Sequence, residues 1–141
     1  MSTIATRHLV ALALCFSALT VSSAIRENRP SASASCSEGV VSRLYVGQST
    51  PTGAVTEAQW RVFVTESVTP RFPAGFTELR GHGHWRDGRG AVIEEDTRII
   101  EIVHDGTRRD HERVRAVAAD YKSRFDQQSV LITQAQSSHC F

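Results

Sequence analysis

Arg43-Leu44-Tyr45-Val46-Gly47 opens a pattern that the chain then repeats in outline. It is followed by a helical stretch, by Thr69-Pro70-Arg71-Phe72 and by Phe76-Thr77-Glu78-Leu79. The second pass runs Arg98-Ile99-Ile100-Glu101-Ile102-Val103, a helical stretch, Lys122-Ser123-Arg124-Phe125, and Ser129-Val130-Leu131-Ile132. Each pass reads strand, helix, Arg-Phe pair, strand. Two such units in tandem predict an α+β domain of ferredoxin-like β-α-β-β-α-β order, an antiparallel sheet with both helices on one face. The first and last strands are then antiparallel neighbours, and the second sheet face is solvated or covered by a partner.

The elements follow from local chemistry. The first strand is predicted over residues 41–48, with Leu44 and Val46 on one face and Arg43 and Tyr45 on the other. Thr56 and Gln59 form a capping box, and Val55 before the cap staples onto Trp60. Trp60, Phe63, Val64 and Val68 make the apolar stripe of the first helix, which Pro70 ends. The second strand is predicted over residues 76–86 and the third over 91–104, joined by Asp87-Gly88 as a two-residue turn. That turn sets His84 opposite Ala91 and His82 opposite Ile93. Asp105-Gly106-Thr107 caps a second helix over residues 108–125, whose stripe is Val114, Val117, Ala118, Tyr121 and Phe125. The fourth strand is predicted over residues 129–134.

The ends of the chain suggest export. Arg7, an uncharged run from Leu9 to Val21 and the small residues Ser22-Ser23-Ala24 read as a signal peptide over residues 1–24. The run is too short and too rich in Ser and Thr for a membrane span of roughly 20 apolar residues, so no span is expected after cleavage. A polar tail, residues 25–37, is expected to be disordered, leaving one domain over residues 38–141. Cleavage removes Cys15, leaving Cys36 and Cys140. In an oxidising compartment this pair is expected to bond, and the adjacency of first and last strands brings them together. Closing a loop of roughly 100 residues contributes up to about 4–5 kcal/mol by chain entropy.

The full chain carries 16 Lys+Arg and 15 Asp+Glu; the signal segment holds only Arg7 among them, so the mature chain is balanced. A balanced domain offers no electrostatic reason to bind nucleic acid or an anionic membrane.

Glu57-Ala58-Gln59-Trp60, Val68-Thr69-Pro70-Arg71-Phe72-Pro73, Gly75-Phe76-Thr77 and Trp85-Arg86-Asp87 together resemble a bacterial domain-of-unknown-function family marked by T-P-R-F (DUF family 3574). Tyr121-Lys122-Ser123-Arg124-Phe125 followed by Gln128-Ser129-Val130-Leu131 is similar to that family's second signature. The resemblance spans most of the mature chain and implies a small exported bacterial protein, periplasmic or secreted. It transfers no catalytic residue. The family's usual Gln where His84 stands, and its usual Gly near Asp126 or Gln127, are departures in this chain.

No catalytic constellation emerges. His82 and His84 share a strand face and are candidate metal ligands, but His104 lies about 35 Å along the next strand at roughly 3.3 Å per residue. Glu78, Arg80 and Arg86 share their face, which reads as a solvated polar strand. Gly81-His82-Gly83 and Gly88-Arg89-Gly90 flank a hairpin and do not open a helix, so they make no phosphate cradle. Glu94-Glu95-Asp96 reads as a solvated strand edge. Arg71 and Arg124 each follow a helix, where a cation complements the C-terminal dipole; their alternative role is an anion clamp. Phe72, Phe125, Trp60 and Trp85 read as core, with a contact role open for Trp85. The candidate binding residues are therefore Arg71, Arg124, Trp85, Tyr45 and Tyr121. The function expected is a non-catalytic binding or interaction module of the cell envelope, with no cofactor and with a protein or small-molecule partner. Two alternatives stand beside it. One is a structural envelope component. The other is an enzyme of the dimeric α+β barrel type, paired as a homodimer through the open sheet face, with its pocket between sheet and helices.

Overall fold

A computed structural model describes residues 35–140. The expected signal segment lies outside the described residues, and so does most of the expected polar tail. The chain runs β1 (Cys36–Gly47), the short pair β2 (Ser49–Thr50) and β3 (Gly53–Ala54), α1 (Glu57–Phe63), a π-helical turn (Val64–Val68), β4 (Thr77–Arg86), β5 (Val92–His104), α2 (Arg108–Phe125) and β6 (Leu131–Cys140). The four long strands form one sheet of order β4-β5-β1-β6, antiparallel throughout. The fold is thus α+β, with a four-stranded antiparallel sheet and two helices.

Alternation along β1 separates the two faces. Val40, Ser42, Leu44 and Val46 are buried beneath the helices. Tyr45 and Arg43 point the other way, beside Ile99 and Glu101 of β5. The core joins Leu44, Val46, Ile100 and Ile102 of the sheet to Trp60, Phe63, Val68 and Phe72, and to Val114, Val117, Tyr121 and Phe125. Phe63 packs edge-on against Tyr121 with ring centroids 5.1 Å apart, and Trp60 lies 5.6 Å from Phe63. Edge-to-face packing suits the quadrupoles of the rings, and truncating one such buried aromatic typically costs about 3–5 kcal/mol.

Both helices start on capping boxes, Thr56 with Gln59 and Thr107 with Asp110. The first helix differs from expectation at its end: its last turn widens, with Thr69 N–H donating to the Val64 carbonyl at 2.9 Å. On a regular α-helix Phe63 and Val68 would face different ways; the wider turn lets both be fully buried.

Three boundaries differ from the sequence reading. The expected tail 25–37 runs into β1, because Cys36 and Ser37 pair with Cys140 and His139. For the same reason β6 continues beyond Gln134 to Cys140. The Cys36–Cys140 disulfide joins the paired ends of these two strands across 104 residues. The third difference is the β4–β5 turn. It is a five-residue loop in which Asp87 Oδ1 accepts from the N–H groups of Arg89 and Ala91, both at 2.9 Å. Gly90 takes φ +88°, which favours glycine. His84 therefore faces Glu94 and His82 faces Asp96, not Ala91 and Ile93.

A polar network sits among the apolar residues at the disulfide end. His104 Nδ1 accepts from Gly106 N–H at 3.1 Å, which leaves the ring proton on Nε2, 2.8 Å from Ser42 Oγ. Gln134 Nε2 donates to Ser42 Oγ, also at 2.8 Å, and lies 2.8 Å from His111 Nδ1. Burial pushes the His104 imidazole below its ordinary value of 6.5; Asp110 and Asp105 oppose this and His111 reinforces it. The folded state thus favours neutral His104. Its contribution to stability is complete above pH 6.5 and is lost as the pH falls from there through the lowered folded-state value. Urea unfolding in steps from neutral to mildly acidic pH should show stability falling, and His104→Gln should flatten that dependence. A variant with an unchanged pH slope would show that the slope arises elsewhere.

Candidate functional site

Antiparallel pairing gathers four strand ends at the end of the sheet opposite the disulfide: the C-terminal ends of β1 and β4 and the N-terminal ends of β5 and β6. On the face away from the helices the register sets Tyr45 beside Leu131, Gly47 beside Thr97, Gly83 beside Glu95 and Trp85 beside Ile93. These residues floor a cleft of about 560 Å³. Its sides are Ser49, Thr50 and Pro51 after β1, and residues 126–129 after α2. Gln127 ties the two sides together, its Nε2 donating to the Ser49 carbonyl at 2.6 Å.

Glu95 is the centre of this arrangement. Its Oε1 accepts from the Trp85 indole N–H at 2.7 Å and its Oε2 from Ser49 N–H at 3.1 Å. A carboxylate has about four acceptor positions, so two are left without a donor among the described residues. The carboxylate lies over Gly47, where any Cβ would collide with it. Glycine at 47 thus leaves the space that the Glu95 carboxylate occupies, and the bonds from Trp85 and Ser49 hold the carboxylate there.

The floor is held from beneath by α2. Tyr121 donates its hydroxyl proton to the Gly47 carbonyl at 2.6 Å and accepts from Gln48 Nε2 at 2.9 Å. Burial pushes the Tyr121 phenol well above its ordinary value; Gln48 opposes the shift and the Glu95 charge adds to it. Tyr121 is therefore a neutral structural donor at any physiological pH.

The structure distributes the sequence-derived candidates unevenly. Tyr45 and Trp85 line the cleft. Trp85 is not a core residue, since its ring stands on the open face with its N–H committed to Glu95. Tyr121 supports the site without lining it. Arg71 and Arg124 do not line the cleft; they cross-link the helices. Arg71 donates to the Ser67 carbonyl at 2.6 Å and pairs with Asp120 at 2.9 Å, while Arg124 pairs with Glu66 at 2.7 Å. His82 and His84 reach the cleft rim, with the carboxylates of Asp96 and Glu94 3.6 Å from their Nδ1 atoms. Among the described residues no three His, Cys, Asp or Glu side chains gather as a metal-holding group. Sequence reasoning missed Glu95, Gly47 and Thr97. The alternation of β1 already set Gly47 on the face of Tyr45, whereas Glu95 and Thr97 joined Trp85 only once the β4–β5 register was known.

The comparisons bear on fold and family. A family model described as "Protein of unknown function (DUF3574)" matches residues 41–141. No curated protein matches the chain. Among solved structures, a phage SAM lyase in complex with S-methyl-5'-thioadenosine is similar at 16% identity and TM-score 0.58, over 73% of this chain and 88% of that one. A phage SAM lyase in its apo state is similar at 16% identity and TM-score 0.55, over 74% and 89%. At these identities the likeness shows the shared fold alone.

Gly47→Ala should separate stability from the site. The methyl group meets only the far end of the Glu95 side chain, so the melting temperature should shift little, by less than about 1 kcal/mol of stability. Glu95 should leave its seat, and the Trp85 indole N–H resonance should move and exchange faster with solvent. An unmoved resonance would refute this account of Gly47.

Proposed function

The chain belongs to the family described as "Protein of unknown function (DUF3574)", and on that footing we propose that it is an exported, non-catalytic binding module of the cell envelope that holds a small molecule in the cleft around Glu95. The observation that carries this reading is the carboxylate held by Trp85 and Ser49 over Gly47 on the floor of a 560 Å³ cleft. A fixed polar group among aromatic and aliphatic walls is the usual make-up of a small-ligand site. Export is supported by the signal-like residues 1–24 and by the Cys36–Cys140 disulfide. Among the described residues no helix is long and apolar enough to cross a membrane. The strand order and the placement of both helices support a ferredoxin-like β-α-β-β-α-β topology.

Titration with a library of small aromatic and aliphatic molecules, followed by protein-observed NMR, tests the site. Shifts should cluster on Tyr45, Gly83, Trp85 and Thr97, and Trp85→Ala should weaken binding about tenfold. Shifts scattered over the surface, or none, would count against the cleft.

A second reading, an enzyme using the same cleft, is favoured by the likeness to the phage SAM lyase. Consumption of S-adenosylmethionine by the purified protein, lost in Glu95→Gln, would establish it over the binding reading. The open sheet face also offers a surface for a second copy. Leu79, Val103 and Leu131 stand on it at 44%, 42% and 59% exposure. Sedimentation equilibrium should then show a homodimer that Val103→Glu dissociates, and a monomer at high concentration would remove this part of the reading.

A further inference from the structure

We propose that the cleft takes a small organic cation, an alkylated ammonium-type head on a compact apolar body. The inference rests on the cleft being a ligand site and adds the chemical class of the ligand.

The lining carries the carboxylates of Glu95 and Asp126 and the imidazoles of His82 and His84, and no Lys or Arg. In a chain with balanced charge this is a local excess of one sign. Three arginines on the strands that floor the cleft are committed elsewhere. Arg86 donates to the Gly90 carbonyl at 2.6 Å, Arg43 pairs with Glu101, and Arg98 pairs with Glu57 and lies over Trp60. An anionic ligand would meet carboxylates with no Lys or Arg to answer it. An uncharged ligand would leave the free acceptor positions of Glu95 without a charge partner.

The walls narrow the class. Trp85 and Tyr45 present rings, and Pro51, Ile93 and Leu131 are apolar. A cation against an aromatic face is attracted by the ring quadrupole, and the attraction grows when water is removed. Aliphatic walls favour a weakly hydrated, alkylated head over a strongly hydrated primary amine. The Trp85–Glu95 hydrogen bond fixes ring and carboxylate relative to each other, so the two features act on one ligand head.

Three probes of matched shape test this on the disulfide-bonded protein: choline, its uncharged isostere with carbon in place of nitrogen, and the corresponding carboxylate. Binding is read by NMR from the Trp85 indole N–H and the Gly83 and Thr97 amides. Choline should shift these resonances saturably and bind about tenfold tighter than the isostere, with the carboxylate weakest. Glu95→Gln should remove most of the choline preference while the isostere still binds, which shows the cleft is intact. If the isostere or the carboxylate binds as well as choline at these resonances, the cleft remains a ligand site and the cation class is overturned. If no probe moves them, the class is overturned. A library that also leaves them unmoved removes the ligand site itself.

Discussion

The hydroxyl of Tyr121 is where the core and the cleft meet. Its ring is fully buried between Phe63 and Phe125, while its oxygen reaches the backbone of β1 at Gly47. A buried phenol needs a partner, and here the partner is the carbonyl of Gly47, the residue over which the Glu95 carboxylate lies. Gln48 completes the joint: its side chain donates to the phenol and its backbone N–H donates to the Asp96 carbonyl at 2.9 Å. Gln48 also accepts from Val55 N–H at 2.8 Å, closing the loop that leads to the α1 cap. The position of the cleft is thus inherited from aromatic packing on the opposite sheet face.

The helices are fixed to each other as well as to the sheet. Arg71 and Arg124, the symmetric residues of the two Arg-Phe pairs, each reach a carboxylate across the helix–helix boundary, Asp120 and Glu66. These groups are partly exposed, so each pair contributes little alone, roughly 0–1 kcal/mol. Their effect is geometric: Phe72 and Phe125, one residue on, are both held in the core. The internal echo in the sequence is therefore a repeated corner, a cation outside and an aromatic inside.

Element order, both helix caps and the pairing of Cys36 with Cys140 were legible in the sequence, because each rests on local chemistry or on the adjacency of chain ends. The cleft was legible only in part. Tyr45 and Trp85 stood out as aromatics on strands, but Glu95 looked like one of three solvated acids. What hid it was the β4–β5 turn. Asp87-Gly88 reads as a two-residue turn, yet Asp87 instead caps a five-residue loop with its own side chain. The resulting shift from His84–Ala91 to His84–Glu94 spans an odd number of residues, and an odd shift moves every partner side chain to the other face. Glu95 and Ile93 thereby move to the face of Trp85. The extension of β6 to Cys140 was hidden for a different reason. Its outer half, Ala135-Gln136-Ser137-Ser138-His139, has little strand propensity and is held by pairing with β1.

The two ends of the sheet solve opposite problems. At one end β1, β5 and β6 are closed by the disulfide, by the cap of α2 and by the Ser42–His104–Gln134 network. At the other the strands end in loops, and the polar groups there are arranged around a space. Glu95, Ser49 and Gln127 bond to one another or to backbone across the rim, so the cleft is shaped without being filled. The disulfide and the Ser42–His104–Gln134 network sit far from it, whereas the Tyr121–Gln48 joint lies directly beneath it. Residues lining the cleft are therefore free to change with little cost to the fold, whereas those beneath it, Tyr121 and Gln48, are not.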